Sequence, residues 1–210
     1  MSTILIMLGS PLRDRQAERR QATRTEILQA AWEIAREKGL ADLTLRDVAD
    51  RIGMRAPSLY SYFGSKNDIY DAMFGQAWSD YVAVVDRVEP TLSADPRSAL
   101  KQIAGTFVDF AIVDPTRHQL MNQRTIPGFV PSPESYAPSV EVFERGRAHL
   151  ARFGVEELDQ FDLFTALIGG LINAQQANDP GGDRWVRLLD DAMDMFADHV
   201  GLPPLKRRRS

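Results

Sequence analysis

The sequence has 210 residues, no cysteine and a formal net charge of −4 at pH 7. This length allows one large domain or two small ones with a real hydrophobic core, and the lack of cysteine excludes disulfides and thiolate chemistry and fits a cytoplasmic protein. The net charge argues against a protein that is basic over its whole surface, but residues 1–66 carry 11 basic against 8 acidic side chains, whereas the remainder is acidic, which suggests two parts with different tasks.

Helix-capping sequences recur along the chain, and alternating strand patterns are nearly absent. Thr23, Thr44 and Ser65 each precede a carboxylate by three residues, which is typical of a capping box. We therefore predict an all-α protein with helices near residues 23–38, 45–52, 56–63, 66–89, 96–113, 115–122, 136–153, 156–177 and 184–200.

The two ends of the chain lack such helix-capping sequences. Residues 1–22 are predicted to be a flexible extension and residues 202–210 a basic tail. The apolar run at residues 4–8 is too short to cross a membrane, so no membrane partner is expected.

Residues 45–63 are predicted to form a helix-turn-helix unit. Leu45, Val48, Ala49 and Ile52 recur at helical spacing, so one face of the first helix is buried. Gly53 permits the left-handed conformation that ends a helix, and only a short turn precedes the next helix.

The second helix of this unit presents two different faces. Leu59 and Phe63 share one face and point inward. The opposite face is small, hydroxyl-bearing and aromatic, has no carboxylate, and comprises Pro57, Ser58, Tyr60 and Ser61. Such a face suits the major groove of DNA, because small residues permit close approach and hydroxyls reach bases or phosphates.

Helix starts lie on either side of this face. Ser65 caps a helix that begins at Lys66, and a helix N-terminus with a lysine attracts phosphate. Thr44 and Arg46 begin the preceding helix and are candidates for a second phosphate. Short helices joined by glycine turns also occur in all-α proteins of other functions, so spacing alone leaves ordinary packing open.

A longer sequence pattern favours DNA binding over ordinary packing for this segment. The sequence reads TLRDVA at 44–49, IGM at 52–54 and PSLYSYFGSKNDIY at 57–70, and over about residues 23–73 it resembles the DNA-binding region of the tetracycline-repressor (TetR) family. The resemblance implies a DNA-binding three-helix domain over residues 23–66 and a ligand-binding, dimerising helical domain over residues 67–201. The segment RAP at 55–57 departs from many members, which leaves the operator sequence open.

The resemblance also assigns roles to single residues. The residues implied to lie nearest the bases are Arg55, Pro57, Ser58 and Ser61. The residues implied to hold the DNA backbone, which sets the register, are Thr44, Arg46, Tyr60, Tyr62 and Lys66.

The acidic remainder is implied to enclose a small-molecule cavity. The lining expected from its bulky apolar residues is Phe107, Phe110, Met121, Phe129 and Phe164. This set lacks a cluster of charges, so a largely apolar or aromatic effector is expected, with a polar handle from neighbours such as His118. The alternative is that these side chains only fill the core.

Two apolar stripes near the C-terminus are predicted to form the interface of a homodimer. The pair Gly169-Gly170 is unfavourable inside a helix, by about 1 kcal/mol each relative to alanine, unless close helix approach compensates. The predicted interface residues are Leu163, Leu167, Gly170, Leu171, Ala174, Leu188, Ala192 and Met195. The alternative is that both stripes close the core of a single subunit.

Catalytic and cofactor motifs are not found in the sequence. There is no Gly-x-Ser-x-Gly, no phosphate-binding glycine loop and no ligand spacing among the three histidines, so neither an enzyme, a cofactor nor a metal is expected. The function expected is a ligand-responsive repressor, a homodimer on a pseudo-palindromic DNA operator. A helical small-molecule-binding enzyme and a non-specific DNA-organising protein remain the alternatives.

Overall fold

The computed structural model describes residues 15–204, and every regular element in that range is helical, which confirms the all-α prediction. The helices are α1 (Arg15–Lys38), α2 (Leu45–Arg51), α3 (Ala56–Leu59), α4 (Lys66–Val88), α5 (Pro96–Val113), α6 (Pro115–Asn122), α7 (Pro133–Ala151), α8 (Leu158–Asn178) and α9 (Leu189–His199). Short 3₁₀ turns at Glu89–Thr91 and Val186–Leu188 follow α4 and precede α9.

Three helix bounds differ from the sequence prediction by about four residues or more. Helix α1 begins at Arg15, so residues 15–22 are helical rather than part of an extension. Helix α3 ends at Leu59, earlier than predicted, and α9 begins at Leu189 after a 3₁₀ turn. The first part of the predicted extension, residues 1–14, and the tail residues 205–210 lie outside the described residues.

The chain divides into two units after Ile69. The first unit contains α1, α2, α3 and the first turn of α4. Its core is built from fully buried apolar side chains, which are Ile27, Ala31, Leu43, Val48, Leu59 and Ile69. Helix α2 packs on both α1 and α3, and the segment from Ala56 to Phe63 is anchored to this core by the buried Leu59 and Phe63.

The second unit contains the rest of α4 and helices α5 to α9. Helix α5 packs against α6, α8 and α9, and the shared core includes Leu100, Ala104, Ile172, Met193 and Phe196. Within residues 15–204, no helix combines the length and the apolar character needed to cross a bilayer.

Candidate nucleic-acid interface and effector cavity

The turn between α2 and α3 is fixed by backbone geometry. Gly53 has a φ of +64°, which favours glycine. The N–H of Met54 donates to Ala49 O at 2.8 Å and that of Gly53 to Asp50 O at 3.3 Å, which together form a Schellman motif. This motif ends α2 and sets the direction of the chain into α3.

The segment from Ala56 to Phe63 presents the face predicted to read DNA. Leu59 and Phe63 are buried, whereas Pro57, Ser58 and Ser61 are exposed, as the helical wheel predicts. The regular helix spans only Ala56–Leu59, but the N–H of Phe63 still donates to Leu59 O at 3.1 Å, so the side chains keep helical phase. Arg55, at the N-cap, and Tyr60 are exposed beside this face.

Two arginines of α1 hold the end of this segment. Arg20 Nη2 donates to Ser61 O at 2.7 Å, and Arg24 Nη1 donates to Tyr62 O at 2.5 Å. The Arg24 guanidinium also lies 4.1 Å from the centre of the Phe63 ring, and that of Arg20 lies 5.1 Å from the centre of the Tyr62 ring. Charge-assisted hydrogen bonds and cation–π contacts therefore fix the carbonyls that follow α3.

These two arginines are not among the residues predicted from the sequence to contribute to the site. The capping pattern predicted that α1 begins at residue 23, so Arg20 fell in the predicted extension and Arg24 had no assigned partner. The spacing of the two residues, one helical turn apart, was the available signal.

Thr44 caps α2, as its sequence context predicted. Its Oγ1 accepts from the Asp47 N–H at 3.1 Å and donates to Asp47 Oδ2 at 2.7 Å. Lys38 Nζ lies 2.9 Å from Asp47 Oδ1, and hydrogen bonds from Lys38 and then Thr44 lower the pKa of this carboxyl. The Thr44 hydroxyl is thus occupied within the protein.

Lys66 and Arg46 differ in how far they are engaged. Lys66 Nζ donates to Ala41 O at 2.8 Å and is half-buried. Arg46 is 87% exposed and lies 3.7 Å from Asp50 in an i,i+4 pair. Such an exposed pair is weak, so Arg46 is the more available of the two cations.

The basic surface extends along α1 beyond the predicted residues. Arg15 and Arg19 are exposed and, with Arg20, lie around a shallow depression that also includes Tyr62. This surface adds positive charge next to a residue predicted to contact the DNA backbone.

The second unit contains a partly open cavity of about 370 Å³. Helices α4, α5, α6, α7 and α8 all contribute to its wall. Aliphatic side chains such as Leu92 and Ile103 lie in the wall beside six aromatic ones, which are Trp78, Tyr81, Phe107, Phe143, Phe161 and Phe164. Their rings contact one another, with Tyr81 and Phe107 centroids 5.1 Å apart.

Two of the five predicted lining residues, Phe107 and Phe164, lie in this wall, and the other three do not. Phe110 lies against Arg117, whose guanidinium is 3.7 Å from the ring centre. Met121 is buried, and Phe129 packs against Tyr70 with centroids 5.7 Å apart.

One part of the wall is charged, which differs from the lining without a cluster of charges that was expected from the sequence. Arg145 is paired with Asp86 at 2.8 Å, with Glu141 at 3.2 Å and with Glu89. His149 Nε2 lies 2.8 Å from Glu89 Oε1. Hydrogen bonds from Arg145 and then His149 lower the pKa of Glu89, so this carboxylate is ionised and satisfied within the protein.

The predicted interface residues share partly exposed faces of α8, α9 and the turn before α9. Leu163, Leu188 and Met195 are exposed, the last by 72%. A Cβ placed on Gly170 would meet no atom within 4 Å. Within one subunit, therefore, no neighbouring side chain packs against this glycine. The other predicted residues, Leu167, Leu171, Ala174 and Ala192, are half-buried.

Within residues 15–204, no group of three or more His, Asp or Glu side chains is arranged to hold a metal ion.

Comparison with known proteins places these features in context. A family model described as bacterial regulatory proteins, tetR family, matches residues 27–73. The HTH-type transcriptional repressor Rv1353c of Mycobacterium tuberculosis (strain ATCC 25618 / H37Rv) is 24% identical over 161 residues, which cover 77% of this chain and 59% of that protein. The chain thus matches less than two thirds of the length of that relative.

Solved structures share the fold over most of the chain. A protein from Rhodococcus sp. RHA1 superposes with a TM-score of 0.72 at 17% identity, covering 86% of this chain and 95% of that one. The regulator FadR from Bacillus subtilis, solved in complex with stearoyl-CoA, gives a TM-score of 0.61 at 16% identity, covering 82% and 96%. At these identities the likeness concerns the fold alone.

Proposed function

Because the chain belongs to the TetR family of bacterial regulatory proteins, we propose that it is a ligand-responsive transcriptional regulator that binds a specific DNA operator. The observation that carries the proposal is the exposed face of Pro57, Ser58 and Ser61, which is held from behind by buried Leu59 and Phe63. A short face with hydroxyls and no carboxylate fits the major groove. The proposed activity is binding rather than catalysis.

The contacts of this interface fall into two groups. Arg55, Pro57, Ser58 and Ser61 are proposed to contact bases and so set the sequence preference. The proposed contacts to the DNA backbone are Thr44, Arg46, Tyr60, Tyr62 and Lys66. Because the Thr44 hydroxyl already caps α2, its proposed contribution is the position of the helix N-terminus.

The proposed binding unit is a homodimer. Exposed Leu163, Leu188 and Met195 would be removed from water if α8 and α9 packed against the same helices of a second subunit. Two recognition segments about 34–36 Å apart would then meet successive major grooves of a pseudo-palindromic operator.

Effector binding is proposed to release the operator. A ligand in the aromatic cavity favours whichever conformation it binds more tightly, and DNA affinity changes if that conformation sets a different spacing of the two segments. The relative Rv1353c is named a repressor, and repression is the regulatory sense proposed here.

Operator selection on random DNA tests the proposal. The purified chain should enrich a pseudo-palindromic site, and fluorescence anisotropy should show that random DNA competes for the chain at least about a thousandfold more weakly than the selected site. Equal competition by random DNA would instead indicate a non-specific DNA-organising protein. The absence of measurable binding to both selected and random DNA would contradict DNA binding.

A further inference from the structure

The cavity in the second unit contains one buried group with a predictable hydrogen-bonding role, His118. This residue, on α6, is 3% exposed and contributes to the cavity wall. Its ring lies edge-on to Phe107, with centroids 6.2 Å apart. A buried imidazole among aromatic side chains is neutral, because burial lowers the pKa of His118.

Gln176 fixes which nitrogen of His118 carries the proton. Gln176 Nε2 donates to Ala111 O at 3.4 Å, so Oε1 is the amide atom that faces His118 Nδ1, at 3.2 Å. An amide oxygen only accepts, so Nδ1 must be the protonated nitrogen of the neutral ring. Nε2 is therefore left with a lone pair.

The position of Gln176 also determines which edge of the ring meets the cavity. The Nδ1 edge is turned towards Gln176, which does not line the cavity, whereas His118 itself does. The edge that carries Nε2 is the one left for a ligand. The cavity thus offers a hydrogen-bond acceptor among aromatic rings.

Trp78, on α4, also lines the cavity. Its ring stacks on Phe107 with centroids 6.4 Å apart, so Trp78 and His118 both contact the same phenylalanine. The Nε1 of Trp78 is itself buried and has no hydrogen-bond partner among residues 15–204. Trp78 therefore contributes an aromatic surface to the wall, and the polar group that a ligand hydroxyl would meet is His118.

The charged side chains in the wall do not favour the binding of a charged ligand. Arg145 is already paired with three carboxylates, and His149 is paired with Glu89. A ligand carboxylate would have to displace a carboxylate of the protein, and it would meet a lone pair at His118. Desolvating a charge without a new partner is unfavourable.

Resting on the proposed function, we propose that the effector is a compact, uncharged aromatic or alicyclic molecule whose hydroxyl donates to Nε2 of His118. The six aromatic side chains hold its apolar body, and the volume of about 370 Å³ accommodates a few rings. Selectivity comes from the hydroxyl, because an analogue without it leaves the buried acceptor unpaired.

Matched compound sets test this assignment. Phenol, 1-naphthol and 5,6,7,8-tetrahydro-2-naphthol are each compared with the methyl ether and the carboxylic acid of the same ring system, and binding is measured by calorimetry without DNA. In at least one set the hydroxyl compound should bind about tenfold or more tightly than both analogues, the effect of one buried hydrogen bond. Weaker or equal binding of the hydroxyl compound in every set, or no binding in any set, would overturn the proposal.

Two variants locate the effect. His118→Phe keeps an aromatic ring but removes the acceptor, so the hydroxyl preference should fall to within about twofold while the ether still binds. Gln176→Leu retains His118 but frees its tautomer, so the preference should fall by a smaller factor. Thr165→Ala is the control, since Thr165 lines the same cavity but its hydroxyl donates to Asp162 O, and the preference should persist.

Nitrogen NMR of the unliganded wild-type chain tests the tautomer. Above pH 7.5 the His118 ring should carry its proton on Nδ1. In a second measurement, addition of the hydroxyl compound that binds best should change the chemical shift of Nε2. A proton on Nε2 would overturn the proposal even if the variants fail to fold.

DNA measurements separate this inference from the proposed function. If apolar compounds release DNA but show no hydroxyl preference, the inference fails and the regulator stands. If hydroxyl compounds bind through His118 but no operator is ever found, the ligand class stands and the regulator fails.

Discussion

Replacing Arg46 by alanine isolates one proposed phosphate contact from the stability of the fold. The side chain is 87% exposed and its pair with Asp50, at 3.7 Å, is weak, so thermal melting should change little. Each phosphate contact contributes about 0.9 to the slope of log K against log salt, and a dimer would lose two contacts, or about 1.8. The ratio of wild-type to variant operator affinity should therefore fall by a factor of about 12 as salt rises from 50 to 200 mM.

The assay is fluorescence anisotropy with the selected operator over that salt range. Arg87→Ala is the matched control. It also removes one positive charge, but from an exposed position in the last turn of α4, in the second unit. Its salt slope should equal that of the wild type. If the salt slope of Arg46→Ala also equals that of the wild type, Arg46 does not contact phosphate, and the inference from its exposure is refuted.

Lys66→Ala is a less clean experiment for a structural reason. Lys66 donates to Ala41 O at 2.8 Å, so its removal alters both a carbonyl partner and a positive charge. A change in DNA affinity must then be corrected by the change in melting before it is assigned to phosphate.

Three further changes probe the recognition segment and the interface. Ser58→Ala removes an exposed hydroxyl and should alter the base preferred at one operator position. The free energy of unfolding should change by less than about 0.5 kcal/mol. Selection of the same site together with a lower melting temperature would place Ser58 in the core. Arg24→Leu should destabilise the first unit by about 1.5–3 kcal/mol, because it removes the charged donor to Tyr62 O, and unchanged hydrogen exchange of the Phe63 N–H would contradict this. Gly170→Leu should yield a folded monomer in sedimentation, because the added Cβ meets no atom of another helix of its own subunit within 4 Å. Its control, Gly169→Ala, should remain dimeric and gain up to about 1 kcal/mol of stability. A dimeric Gly170→Leu would contradict the proposed interface.

The elements best predicted from the sequence are those whose ends are set by local chemistry. Asp95 and Asp114 each precede a proline and accept from the N–H three residues on, at 2.9 and 3.0 Å, so α5 and α6 begin where predicted. The two faces of the recognition segment were predictable for the same reason. Helical phase alone places Leu59 inside and Ser61 outside.

Features that depend on contacts between distant residues were not predictable in this way. Phe107 and Phe110 are both half-buried on α5, less than one turn apart, yet one faces the cavity and the other lies under Arg117. The periodicity of an apolar face does not distinguish a wall from a packed core, since both exclude water. Arg145 likewise belongs to a pattern typical of a solvated helix face, and only the fold brings Glu89 to it.

Under the proposed function, an element that belongs to both units can connect ligand binding with DNA binding. Helix α4 begins in the first unit at Lys66 and carries Trp78 in the cavity wall. Between them, Asp71 accepts from the N–H of Ser132 at 2.6 Å, which ties α4 to the start of α7. A ligand changes DNA affinity only if its contacts differ between two conformations, and a molecule bound to both Trp78 and His118 has contacts on α4 and on α6 that change when these helices move apart. A molecule that fits the aromatic rings equally well in both conformations would bind tightly and leave the operator occupied.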